Sequence, residues 1–246
     1  MSKRSIVFTI IGILLVWQLA AFGVNSNLLP APAAVLTSFV QGLGGKLGLH
    51  IAVSSWRLIT SMVLAVLLAV PLGLVIGQSK GLDALVAPLI YITYPIPKVV
   101  LLPVVMLFLG IGDRSKIFII TLILFFQILV VVRDASHGVR PELIYSVRSL
   151  GATRFQVLRY VYIPACLPST LTALRVSTGT AVAVLYVAES FATQSGLGFY
   201  IMDTWQALAY PKMYSAVVAM SVIGFAVYVG LDHLETRFCG WVHAGK

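Results

Sequence analysis

The chain has 246 residues, 59% of them hydrophobic and only 10% charged. A soluble domain carries about 25% charge, and none of this length has interior enough for so much apolar surface, so the bulk solvent is lipid. The net charge of +9 does not point to nucleic acid, because the basic residues flank apolar runs as membrane topology requires.

Crossing the hydrocarbon takes about 20 mostly apolar residues, and six stretches qualify or nearly so. The first is Ser5–Val24, behind Lys3 and Arg4. No small-x-small cleavage site follows and more spans come later, which favours a retained helix over a signal peptide. Residues 25–49 read as a polar loop, with Pro30, Pro32 and a Gly42-Leu43-Gly44-Gly45 turn. The second span is Ser54–Ile76. Its first turns carry Ser54, Ser55, Arg57, Thr60 and Ser61, which reads as an amphipathic, interfacial end. The third, Leu82–Leu109, is broken by Tyr94-Pro95-Ile96-Pro97 and Pro103. Proline removes a backbone donor, and broken backbone at membrane depth is tolerated only inside protein or beside a wet cavity. Residues 110–114 form a hinge into the fourth span, Ser115–Val132.

A polar elbow, 140–164, comes next: RPELIYSVRSLGATRFQVLRYVYIP. Pro141 and Glu142 suit a helix start. Leu143, Ile144, Val147 and Leu150 share a face, and Gly151 suits a helix stop. Thr153 and Gln156 have the spacing of a reciprocal cap. Two short helices set at an angle are expected, with re-entry marked by Pro164 and Pro168 and with Arg148, Arg154 and Arg159 left outward. An interfacial loop on anionic lipid and a docking helix both fit this pattern.

The fifth span is Ala165–Glu189. A Gly-punctuated segment, 194–198, and a short amphipathic stretch lead to the sixth span, Met213–Leu231, and a polar tail from His233. The fold class is thus all-α, a polytopic bundle of about six transmembrane helices in one compact unit. Its boundaries are 1–25 (first helix), 26–53 (extracytoplasmic loop and interfacial entry), 54–232 (core) and 233–246 (tail). With the N-terminus inside, ten lysines and arginines lie inside against five outside. That bias places both termini and the elbow in the cytoplasm.

Ionisable residues within spans usually face the bundle interior. Lys98 and Arg175 could attract an anion, or Arg175 could pair or snorkel. Glu189 suits a structural or gating role. Thr178, Gly179 and Thr180 could line a path or allow close packing. Tyr94, Pro95 and Pro97 frame the break. Cys166 and Cys239 lack metal or redox spacing and read as unpaired thiols. No GxxxxGK[ST] phosphate loop occurs.

The elbow resembles the cytoplasmic EAA loop of bacterial ATP-binding-cassette importer permeases: Glu-Ala-Ala, three residues, Gly, nine residues, Ile-x-Leu-Pro. Gly151 is followed by nine residues and then Val161-Tyr162-Ile163-Pro164. Tyr145, Ser146 and Val147 stand where that family has glutamate and two alanines, so Glu142 or Arg148 would have to supply the contact. Leu29-Pro30-Ala31-Pro32, Ser54-Ser55-Trp56-Arg57, Phe108-Leu109-Gly110-Ile111-Gly112, Val187-Ala188-Glu189 and Gly196-Leu197-Gly198-Phe199 resemble the nitrate/sulfonate/taurine branch. The resemblance implies a MetI-like permease fold and a location in the bacterial inner membrane. It implies a second permease copy, two ATPase subunits that bind ATP and Mg, a periplasmic or lipid-anchored solute-binding protein, and no cofactor or enzymatic activity of the chain's own. The implied cargo is a small anion such as a sulfonate, taurine, nitrate or bicarbonate, with a thiamine-precursor-like heterocycle as the alternative. An ion-gradient-driven transporter is the rival class, but it leaves the elbow unexplained.

Overall fold

The computed structural model describes residues 3–24 and 27–243. The side chains of Lys3, Arg4 and Lys246, three of the inside charges, lie outside what is described. The described residues are helical: α1 Lys3–Val24, α2 Pro32–Leu43, α3 Lys46–Gln78, α4 Lys80–Thr93, α5 Leu102–Leu109, α6 Asp113–His137, α7 Pro141–Ser149, α8 Arg154–Val157, α9 Ile163–Ser190, α10 Leu197–Gln206, α11 Tyr210–Phe238 and α12 Gly240–His243. Among them four helices are long and apolar enough to cross a membrane, five if the bent pair α4/α5 counts as one span. Phe8–Val24 and Pro32–Leu43 are shorter apolar helices.

The chain divides into two units rather than the one expected. One takes the chain up to Ser55 together with Glu189–Val222; the other takes Trp56–Ala188 with the rest of the C-terminal segment. In the first, Val35, Leu47, Leu197 and Ala216 are buried, and Trp17 lies 6.1 Å from Tyr214, ring to ring. The expected loop at 25–49 is mostly helix. Pro32 sits in the first turn of α2, where its missing N–H has no partner to lose.

In the second unit, Leu58, Ala65, Ile119, Ile120, Leu124 and Ile128 form a core with no exposed surface. α3 and α6 approach closely because Gly73 and Gly77 carry no side chain: a Cβ on Gly73 would lie 2.9 Å from that of Val132. Small residues one turn apart permit such approach within lipid. Across the contact, Ser136 Oγ donates to Leu74 O at 3.2 Å and Thr121 Oγ1 to Ser61 O at 3.3 Å.

The polar side of the second span's first turns faces protein. Ser54, Arg57 and Ser61 are buried. They recur three and four apart and so share one face of α3. The expected third span is a bent pair: α4 and the Lys98–Leu109 segment meet at 79°. Pro103 does not break α5. It lies in the first turn, where proline is tolerated.

The elbow folds in part as expected. Glu142 lies in the first turn of α7, and Gly151 follows it with φ +82°, a left-handed conformation that disfavours any Cβ. Thr153 Oγ1 and Gln156 cap α8 reciprocally. The second helix is not short, however. α8 continues through a π-helical turn, Leu158–Tyr162, straight into α9, giving one 37-residue helix from Arg154 to Ser190. Pro164 would clash with the carbonyl four residues back in a regular α-helix. Widening the preceding turn to π spacing relieves that clash without ending the helix. At the other end α11 runs to Phe238, past the expected start of the tail.

Candidate functional site

Four constellations carry the polar chemistry. The first lies in the unit that holds α10. Glu189 is fully buried. Its carboxylate accepts from Ser54 Oγ at 2.7 and 2.9 Å and from Gly198 N–H at 3.0 Å. Ser54 Oγ in turn accepts from Leu197 N–H at 2.8 Å, and Gly196 N–H donates to His50 Nδ1 at 3.0 Å. The first N–H groups of α10 thus meet an internal anion, which their orientation and the helix dipole favour.

The second joins α3 to the start of α6. Arg57 Nη2 and Nε reach Asp113 Oδ1 at 2.6 and 2.9 Å. Fully buried Lys116 donates to Ile111 O at 2.8 Å, which closes the hinge at 110–112. Lys98 repeats that arrangement at the break after α4. Its Nζ donates to Thr93 O at 2.8 Å and Tyr94 O at 3.3 Å, and lies 4.6 Å from the Phe126 ring centre. Lys98 meets backbone carbonyls at the end of α4 and supplies the positive charge that a helix C-terminus favours, whereas Lys116 ties down the connection between α5 and α6.

The third lies between α9 and α11. Arg175 pairs with Asp232 and, at 3.2 Å, with Glu235 Oε2; Thr172 Oγ1 donates to Glu235 Oε1 at 3.1 Å. Glu235, expected in the polar tail, lies in α11 with its charge offset by Arg175. Arg133 pairs likewise with Asp83.

Two adjoining cavities, also in the second unit, complete the set. One of about 580 Å³ is lined by Gln127, Ser169, Thr172, Ser177, Thr180 and Glu235. The other, about 330 Å³, is lined by Pro95, Pro97, Lys98 and Phe126. Tyr94 and Gln127 border both. Of the residues singled out in the sequence, Tyr94, Pro95, Pro97, Lys98 and Thr180 meet at these cavities. Arg175 is engaged with α11, Thr178 is buried with its hydroxyl on Leu174 O at 3.0 Å, and Glu189 serves α10. Sequence reasoning missed Gln127, although a lone amide in the apolar run 117–132 is a signal in itself. It also missed Asp113, whose partner is 56 positions away.

The elbow presents a different surface. Leu143, Tyr145, Leu150, Phe155 and Tyr160 are exposed beside Arg148, Arg154 and Arg159, while Val157 and Val161 turn inward. Both cysteines are free and buried. No group of three metal-ligating side chains occurs among the described residues.

Residues 69–239 match the family described as binding-protein-dependent transport system inner membrane component. The chain is 32% identical over 232 residues to the taurine transport system permease protein TauC of Escherichia coli (strain K12), covering 92% of this chain and 84% of the relative. It is 30% identical over 240 residues to the putative aliphatic sulfonates transport permease protein SsuC of the same organism, covering 95% and 90%. Its fold is similar to a chain of the inward-facing MetNI methionine ABC transporter, with a TM-score of 0.65 at 19% identity, over 78% of this chain and 96% of that one.

Proposed function

Because the chain belongs to the family of binding-protein-dependent transport system inner membrane components, we propose that it carries a small organic sulfonate inward and is driven through its elbow, residues 140–164. As a member of that family it is a multi-pass inner-membrane permease subunit of an ABC importer. It works with an ATPase and a solute-binding protein, and it has no nucleotide site or cofactor of its own.

The sulfonate reading rests on the similarity to TauC and SsuC along nearly the whole chain. The coupling reading rests on one observation, the exposed apolar and arginine-bearing surface of α7 and α8. Leu150 is 86% exposed and Phe155 68%, which marks a surface awaiting a partner. In this reading Glu142, Tyr145, Ser146, Val147, Arg148, Gly151, Thr153 and Arg154 form the seat for the ATPase, and Ile163 and Pro164 join that seat to α9. Tyr145 contributes an aromatic face in place of a carboxylate. Tyr94, Pro95, Pro97, Lys98 and Thr180 border the path, which two copies of the chain enclose. Arg175 and Glu189 hold helices in place, and both termini face the cytoplasm. Burial of Arg57 and Lys116 removes two of the five charges counted outside, which leaves the inward bias stronger.

Uptake by vesicles containing permease, ATPase and binding protein tests this reading. ATP-dependent accumulation of a sulfonate, with ATPase association weakened by Arg148→Glu, supports it. Equal accumulation without ATP would overturn it.

A further inference from the structure

The interior of α6 holds one side chain that its surroundings do not explain. Gln127 Oε1 is buried and has no hydrogen-bond partner in the protein. A buried acceptor left open costs about 1–3 kcal/mol, and no protein donor reaches this one. Gln127 also stands where the two cavities meet. On one side are the hydroxyls of Ser169, Ser177 and Thr180. On the other is Lys98, whose ammonium has three protons and gives two to Thr93 and Tyr94 carbonyls.

We propose that this trough is a solute subsite and that Gln127 is its specificity-determining residue: it takes a short sulfonate that also carries a hydrogen-bond donor, such as an amine. The oxyanion lies toward Lys98, where the remaining ammonium proton and the positive charge favour it. The donor group meets Gln127 Oε1, which repairs the open acceptor. A site whose buried polar atom is satisfied only by the right solute rejects analogues lacking that group far better than an apolar pocket rejects an extra methylene. Alkanesulfonates without a donor therefore pass this point less favourably. Lys98 contributes field rather than grip, because most of its donors are committed to the break after α4. The subsite rests on the sulfonate reading above only for the identity of the anionic group.

The test uses the assembled transporter in vesicles with two probes, taurine and ethanesulfonate, which differ by the amine. With one binding protein throughout, the ratio of their uptake rates isolates the permease. Gln127→Leu is expected to lower that ratio about tenfold, the effect of one lost hydrogen bond of about 1.4 kcal/mol, and Gln127→Asn to recover part of it. An unchanged ratio, or equal loss of both probes, overturns the proposal. A second readout does not depend on the cargo. Thr180→Cys, in a chain whose own cysteines are replaced by serine, is exposed to a membrane-impermeant sulfonatoethyl thiosulfonate. Modification of the assembled transporter is expected, slower in the presence of taurine than of ethanesulfonate. No modification overturns the trough. Modification with that protection, in vesicles that accumulate neither probe, upholds the trough and sinks the uptake reading alone.

Discussion

The carboxylate of Glu189 occupies the space that a side chain on Gly196 would need. A Cβ built on Gly196 collides with all three atoms of the Glu189 carboxyl group, and φ at Gly196 is +106°. The same carboxylate holds Ser54 Oγ and Gly198 N–H, so the glycine and the acid are two halves of one socket for the start of α10.

Gly196→Ala is therefore expected to destabilise the folded protein by about 3 kcal/mol, from strained backbone and a displaced buried charge. Glu189→Gln keeps the shape and one good acceptor and should cost about 1 kcal/mol. Thermal unfolding in detergent measures both. A Gly196→Ala protein with the parental Tm would dismiss the socket.

Arg57 and Asp113 make the second case. The Arg57 side chain is 2% exposed and Asp113 52%. Removing the acid takes one partner from a buried guanidinium, a loss of about 1–3 kcal/mol. Asp113→Ala should thus lower Tm sharply, while Asp113→Asn, which still offers an oxygen, should do so less. Equal and small effects would show that the pair is ornamental.

The elbow can be probed through its backbone geometry, leaving its arginines and aromatic side chains in place. Thr153→Ala removes the cap of α8 and should cost about 1 kcal/mol locally, and Gly151→Ala about 1–2 kcal/mol from its left-handed φ. If the elbow couples, sulfonate uptake falls in both while ATP hydrolysis by the partner persists. Coupled uptake at the parental rate in the double variant would count against the elbow's role.

Cys239 gives a pH prediction. Burial first, and the nearby Glu235 carboxylate second, push its thiol above the ordinary value. A thiol raised in the folded state stays protonated there while the unfolded chain ionises. Its contribution is therefore fully present below the unfolded thiol pKa of about 8.5 and is lost as pH rises through the higher folded value. Tm should decline on that alkaline side more steeply than in Cys239→Ser, and maleimide labelling at neutral pH should be negligible. Rapid labelling of the folded protein at neutral pH would contradict this.

Much of the chain was legible because the signals are local. Thr153 and Gln156 lie three apart, and the prolines at 95 and 97 interrupt the helix they sit in. What could not be read depended on distant partners. Ser54, Arg57 and Ser61 form the same pattern whether that face meets water or protein, and only Glu189 and Asp113 decide which. Glu235 reads as tail because Arg175, which balances it, lies far back in α9. The end of the elbow departs from the expected stop for a physical reason too. Pro164 signals a stop, and only the π turn lets the helix pass it.

That turn has a mechanical consequence. Thirty-seven continuous helical residues make a rod about 55 Å long, rooted in the elbow and without a joint where the sequence suggested one. A hinge at Pro164 would absorb a push on Arg154 locally. A stiff lever would hand it on, so a small displacement at the Arg154 end would tilt the whole span. Straightening the one wide turn at 158–162 would change the rod's pitch and angle without breaking it.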